Sequence, residues 1–403
     1  MISLPPSSFF GLPLAAPFAI ALAIGMLSQD GEPEPSPKPD PTTCTVCYSD
    51  PPLMKRSGVV SHGGFTFAHS DTDLVERIFK DELPIHWVES EHFKLGFAEV
   101  VFRDVSGAAA PAGSWANGAL AMRPFARAHE YVERCEALYD DFLELVDLDD
   151  AVFPALDEHG DPILTPDAPY AGKGPHLGMA GKFEVLFLPG AEELDRFALH
   201  ANGLMRATHN RAKIDRTDAF HLTLHLNDGL MWDDRAVYSN LAHGLAHNFL
   251  RGLEHDDYPI PTWFEVGLAH HLERELSHVA NSFCLNPEAF QEGYSLGDWN
   301  GATRDLLRGQ KAPYLEPLAL KEHETEFAFE EHLIAWSMTR FLIHEHPEAY
   351  AGMLKHMKGL TDGKVDIGIV ELRTAHQDAF AKHLDMTYSE FDKAWSKWAK
   401  KQR

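Results

Sequence analysis

The chain has 403 residues, 44% apolar, 24% charged and 11% aromatic, a globular composition that excludes a mostly disordered chain. Asp and Glu number 61 against 35 Lys and Arg, a formal net charge of −26, which repels phosphate backbones and argues against a nucleic-acid partner. There is one long apolar stretch, so a multi-span membrane protein is excluded too.

That stretch, Phe9–Leu27, carries no charged side chain and approaches the length needed to cross a bilayer. Pro13 and Pro17 weaken it as a helix. Its position makes residues 1–27 an export signal or N-terminal membrane anchor, although the preceding eight residues lack the usual Lys or Arg. Ala21-Leu22-Ala23 is a candidate cleavage site. Residues 28–43 place proline at every second position from Pro33 to Pro41, an extended spacer of roughly 50 Å at most.

Cys44-Thr-Val-Cys47 follows directly and opens a segment, 44–84. In an exported chain the pair could be oxidised or hold a metal. Tyr48 stands where a haem attachment motif needs His, and no strand-to-helix context marks a redox motif. The pair reads as a structural staple or small metal knuckle. His62 and His69 follow it, at a spacing that fits no standard zinc finger.

Ordered structure is expected from residue 71. His92–Phe97 alternates as a strand, residues 127–147 space Tyr131, Leu138, Phe142 and Leu145 as one face of a helix, and Cys135 falls in that pattern as a core residue. A Pro-, Gly- and Asp-rich loop covers 148–181. Strands are predicted at Phe183–Pro189 and Phe220–Leu226, with a helix at 191–202 between them and a turn at Asn227-Asp228-Gly229. From residue 236 the pattern is helical, at 236–252, 262–278, 327–346, 347–358, 367–383 and 388–401, with 281–326 irregular. Strands mixed with helices over 85–235, followed by a helical half over 236–403, predict an α+β fold.

The informative stretch is Tyr238–Leu250. His243 and His247 lie four apart, so on a helix both rings leave one face, as two ligands of one zinc ion must. With 24 histidines in the chain, about 1.4 such pairs arise by chance. His221/His225 is another, in a predicted strand, where packing is the expected role. A second helix follows, opened by Pro259-Ile-Pro-Thr-Trp-Phe-Glu-Val-Gly-Leu-Ala.

This two-helix block resembles the gluzincin metallopeptidases, especially exported bacterial families of the peptidase-MA-like type, whose pattern is His-Glu-x-x-His followed by Trp-x-x-Glu-Gly-Leu-Ala. Trp87–Leu95 resembles the family's first strand, His332–Leu342 the helix behind its site and Ser389–Trp398 its terminal helix, so the likeness extends over about residues 85–400. It implies a zinc site on His243 and His247. Two departures follow. Gly244 stands where the family has the Glu that activates zinc-bound water, and Val266 stands at the third ligand. Glu265, one residue early and turned ~100° on a helix, completes the site only with a shift of register. His270, one turn beyond Val266, is a substitute ligand, and His332 a candidate hydrogen-bond donor.

The expectation is therefore an exported, non-catalytic pseudopeptidase that binds a peptide or protein of the cell envelope, with zinc as the candidate cofactor. The alternatives are a zinc hydrolase with an unusual base and third ligand, and a structural envelope protein. Gly244 inside a helix costs ~1 kcal/mol relative to Ala, which close packing of another element would justify.

Overall fold

The computed structural model describes residues 44–79, 83–98, 124–165, 170–202, 209–225, 234–255, 260–278, 281–283, 293, 296–358 and 368–403. The apolar segment, the spacer, Cys284 and the turn expected at 227–229 lie outside them. The described residues fall within one unit, Pro37–Arg403.

Alternation along the strands builds the centre of the fold. In β4 (Phe93–Ala98), β5 (Phe183–Leu188) and β7 (Ala219–His225), the residues Phe93, Leu95, Phe97, Phe183, Val185, Phe187, Phe220, Leu222 and Leu224 all enter one core. Leu186 and Leu188 point to a second core on the other face, as a period of two requires. With β3 (Ile85–Glu89) and β6 (His209–Ile214) these strands form a five-stranded sheet of order β3-β4-β5-β7-β6. The central pairs β4–β5 and β5–β7 are parallel, and the outer pairs β3–β4 and β6–β7 antiparallel. A separate two-stranded ribbon joins β1 (Thr66–Phe67) and β2 (Ser70–Asp71).

One sheet face is covered by α3 (Pro124–Val146) and α5 (Asp234–Gly252), and the other by α2 (Thr72–Ile78) and α4 (Ala191–Phe197). Beyond α5 lie α6 (Thr262–Leu276) and α9 (Phe329–Glu345); α10 (Pro347–Lys358), α11 (Ile369–Leu384) and α12 (Tyr388–Ala399) complete the helical half. Residues 236–250 of α5 are buried on almost every side, the signature of a helix enclosed between layers rather than lying on a surface. Gly267 lets α6 approach α9 closely, since a Cβ there would stand 2.7 Å from the Ala335 carbonyl.

The α+β class and the predicted helices are as expected, and Cys135 is fully buried. Three expectations need correcting. The stretch 87–95 is a hairpin, β3 turning into β4 through Ser90–His92, because Ser90 N–H closes on the Phe93 carbonyl at 2.9 Å. The described residues from Cys44 to 70 are already ordered, ahead of the expected 71, with α1 (Pro51–Arg56) capped by the Asp50 carboxylate. The segment 281–326 contains α7 (Trp299–Arg308), capped by Asp298, and α8 (Leu315–Ala319). Strand β6, which the sequence pattern did not mark, is set by its antiparallel pairing with β7. Among the described residues no helix is long and apolar enough to cross a membrane.

Candidate functional site: two clusters of metal-ligand residues

The seam between α5 and α6 holds two His–Glu pairs. Toward one end, His243 Nδ1 lies 2.7 Å from Glu273 Oε2, and His270 Nδ1 lies 3.1 Å from the same oxygen. His270 Nε2 meets His332 Nδ1 of α9 at 3.0 Å, and the Ser282 backbone N–H donates to Glu273 Oε1. Spacing explains the convergence: residues 270 and 273 share a helical face, and α9 packs across it. Trp299 and Phe283 stand edge-on or tilted against His270, with ring centroids at 4.9 and 5.3 Å. His243, His270, Glu273 and His332 are at most 2% exposed.

Burial pushes the Glu273 carboxyl well above its ordinary range, and it pushes His270 down, further so with His332 and Arg274 nearby. His332 is lowered to about 3 by burial. Burial thus favours the neutral form of His270 and His332, the form in which an imidazole binds metal. His243, His270 and Glu273 bring three ligand atoms within 4.8 Å of one another, a His2Glu set of the type zinc accepts.

At the other end, His247 Nδ1 lies 3.4 Å from Glu265 Oε2 and its Nε2 lies 3.7 Å from Glu324 Oε2. Both carboxylates already have cations. Arg251 reaches both Glu265 oxygens at 3.2 Å, and Arg211 of β6 holds both Glu324 oxygens at 2.7 and 2.9 Å. Burial alone would raise Glu265, but Arg251 and His247 outweigh it and hold the carboxyl at about 2. His247 is lowered by burial and by Arg211. Two guanidinium groups beside these acids oppose a further cation.

The sequence-predicted ligands are therefore divided between two environments. His243 belongs with His270 and Glu273, while His247 and Glu265 belong to an ion-pair network. Val266 is buried in the apolar core. Gly244 faces the sheet, where a Cβ would stand 2.7 and 2.8 Å from the two Leu222 methyl groups. Packing on the sheet is the structural setting of this glycine. His332 meets His270, and Glu273, which no motif marked, is the acid at the centre.

Cys44 and Cys47 define a second cluster. Cys44 Sγ lies 3.2 Å from His129 Nε2, and Cys47 Sγ lies 3.0 Å from His62 Nε2. The four ligand atoms lie within 4.8 Å of one another, and both thiols are free in the structure. His129 comes from α3, 85 residues from Cys44, so no local motif could have paired it. His221 and His225 are both buried, His221 between Glu184 and Thr223 on the far face of the sheet.

No protein-family model, no curated protein and no solved structure matches the chain.

Proposed function

We propose that this chain is an exported, membrane-tethered, non-catalytic metallopeptidase-like domain of gluzincin type that binds a peptide or protein of the cell envelope. One observation carries the non-catalytic part. Leu222 packs against Gly244, where the resemblance would place the base, and Glu324, held by Arg211, lies 3.7 Å from His247 Nε2. A general base needs hydrogen-bond reach to the water it activates, and position 244 has no side chain to provide it. Binding of an extended peptide finds support in β6, which among the described residues pairs only with β7; a sheet edge accepts a further strand through its backbone groups. Export and tethering rest on Phe9–Leu27 and the proline spacer.

The test is hydrolysis of quenched fluorescent peptides by the full chain with added zinc. The expected rate is that of buffer, with peptides recovered intact. Zinc-dependent turnover that disappears in His243→Ala would overturn the proposal. That result would favour a second reading, a zinc hydrolase with an unusual ligand set, which the convergence of His243, His270 and Glu273 supports.

A further inference from the structure

We propose that Cys44, Cys47, His62 and His129 form a tetrahedral Cys2His2 zinc site that fastens residues 44–62 to α3. Each ligand is positioned by its own local structure. Cys44 and Cys47 sit on a tight knuckle: Tyr48 N–H bonds the Cys44 carbonyl at 2.8 Å, Asp50 N–H bonds the Cys47 carbonyl at 2.9 Å, and Val46 N–H lies 3.4 Å from Cys44 Sγ. Tyr48 and Ser49 take left-handed φ values of 53° and 49° to close it. His62 follows Ser61, which is bridged to Glu89 at the edge of β3. His129 projects from the buried face of α3.

Both rings present Nε2 to a sulfur, so four soft or borderline ligand atoms converge from three elements. That donor set selects zinc among common divalent ions. Charge agrees with the surroundings. Two thiolates neutralise one dication, and the site is walled by Phe125, Leu53 and Met54, where a net charge would be costly. Zinc binding forms two Zn–S and two Zn–N bonds, and the two thiol protons leave to solvent. A Cys44–Cys47 disulfide would draw the sulfurs together and take away the sulfur partner that each of the His62 and His129 Nε2 atoms now has. The site closes a long span of chain, so it holds residues 44–62 against the body just where the proline spacer ends.

The test uses the full chain, reduced and refolded in cobalt(II) and separately in zinc. Cobalt should give a thiolate charge-transfer band with tetrahedral d–d bands, which needs no variant. About two protons should be released per zinc bound at this site, and Cys44→Ser/Cys47→Ser should hold one zinc equivalent less than the parent. With free zinc at a hundred times its Kd, chelation should raise hydrogen exchange in residues 44–62 about a hundredfold. A cobalt spectrum without thiolate bands, a Cys44–Cys47 disulfide in the purified chain, or equal zinc in parent and variant would each overturn the assignment.

Discussion

The two ends of the α5–α6 seam carry the same residue types and do opposite things with them. At one end Glu265 and His247 sit with Arg251, and the carboxyl is held at about 2. At the other, Glu273 meets two imidazoles and a backbone amide, and burial pushes its pKa up. Arg274 is adjacent in sequence but turns away to Asn281 and the Gly297 carbonyl, stacked over Trp299 at 4.3 Å. The presence of a paired guanidinium, rather than the identity of the acid, decides whether a buried Glu beside a His is held ionised or pushed towards its protonated form.

The sharpest way to break this comparison is to remove Glu273. Glu273→Ala leaves two histidines and the Ser282 amide without their acceptor, and at about 1–3 kcal/mol for each buried donor left unpaired the loss expected in urea unfolding is about 3 kcal/mol or more. Glu273→Gln keeps an acceptor oxygen and should cost roughly half as much. Equal costs for the two variants would mean that the cluster is held by shape alone.

The pH dependence separates the two acids by sign, over an acid-side loss that His247, His270 and His332 share because burial holds all three imidazoles down. Glu265 is depressed from an ordinary 4.5 to about 2, so its contribution is complete above pH 4.5 and is lost as pH falls from 4.5 towards 2. Buried His247 adds to the same trend, since unfolding lets it take a proton below its ordinary 6.5. Glu273 is raised, so unfolding releases its proton as pH climbs above 4.5, and stability falls in the alkaline direction. Glu265→Gln should remove about 2–3 kcal/mol of acid-side dependence, whereas Glu273→Gln should flatten the alkaline side. Chemical denaturation between pH 3 and 9 reads both slopes. Slopes of the same sign would break the distinction.

What was legible in the sequence follows from the range of each interaction. The helices of the second half and the strands at 183 and 220 were readable because Leu, Val and Phe recur with the period of one element. The hairpin at 85–98 was not, because its reversal depends on a Ser90–Phe93 closure with no Asn-Gly or Pro to mark it. The strand β6, His-Asn-Arg-Ala-Lys-Ile, lacks alternation and is defined by pairing with β7. Among site residues, the His243/His247 spacing announced a shared helix face. It could not announce that Arg251 and Arg211 claim the acids around His247, or that Glu273 turns towards His243. His129 was hidden by distance along the chain, and only the fold brings it to Cys44.

The smallest expected effect concerns Gly244, which links the seam to the sheet. Ala is the better helix former by ~1 kcal/mol, so on helix propensity alone Gly244→Ala should stabilise. Its Cβ, however, would fall 2.7 Å from a Leu222 methyl in a fully buried contact. Overpacking of this kind costs about 1–3 kcal/mol, leaving a net loss of roughly 1 kcal/mol. In a Leu222→Ala background the methyls are gone, and the same substitution should stabilise. A double-mutant cycle by urea unfolding measures the change of sign. Gly244→Glu should be worse than Gly244→Ala in the parent, because it drives a carboxylate into the same contact, and it should restore no peptide hydrolysis. Stabilisation by Ala in the parent would show that Leu222 yields freely. A base at position 244 would then be sterically admissible, and the glycine would no longer explain an inactive centre.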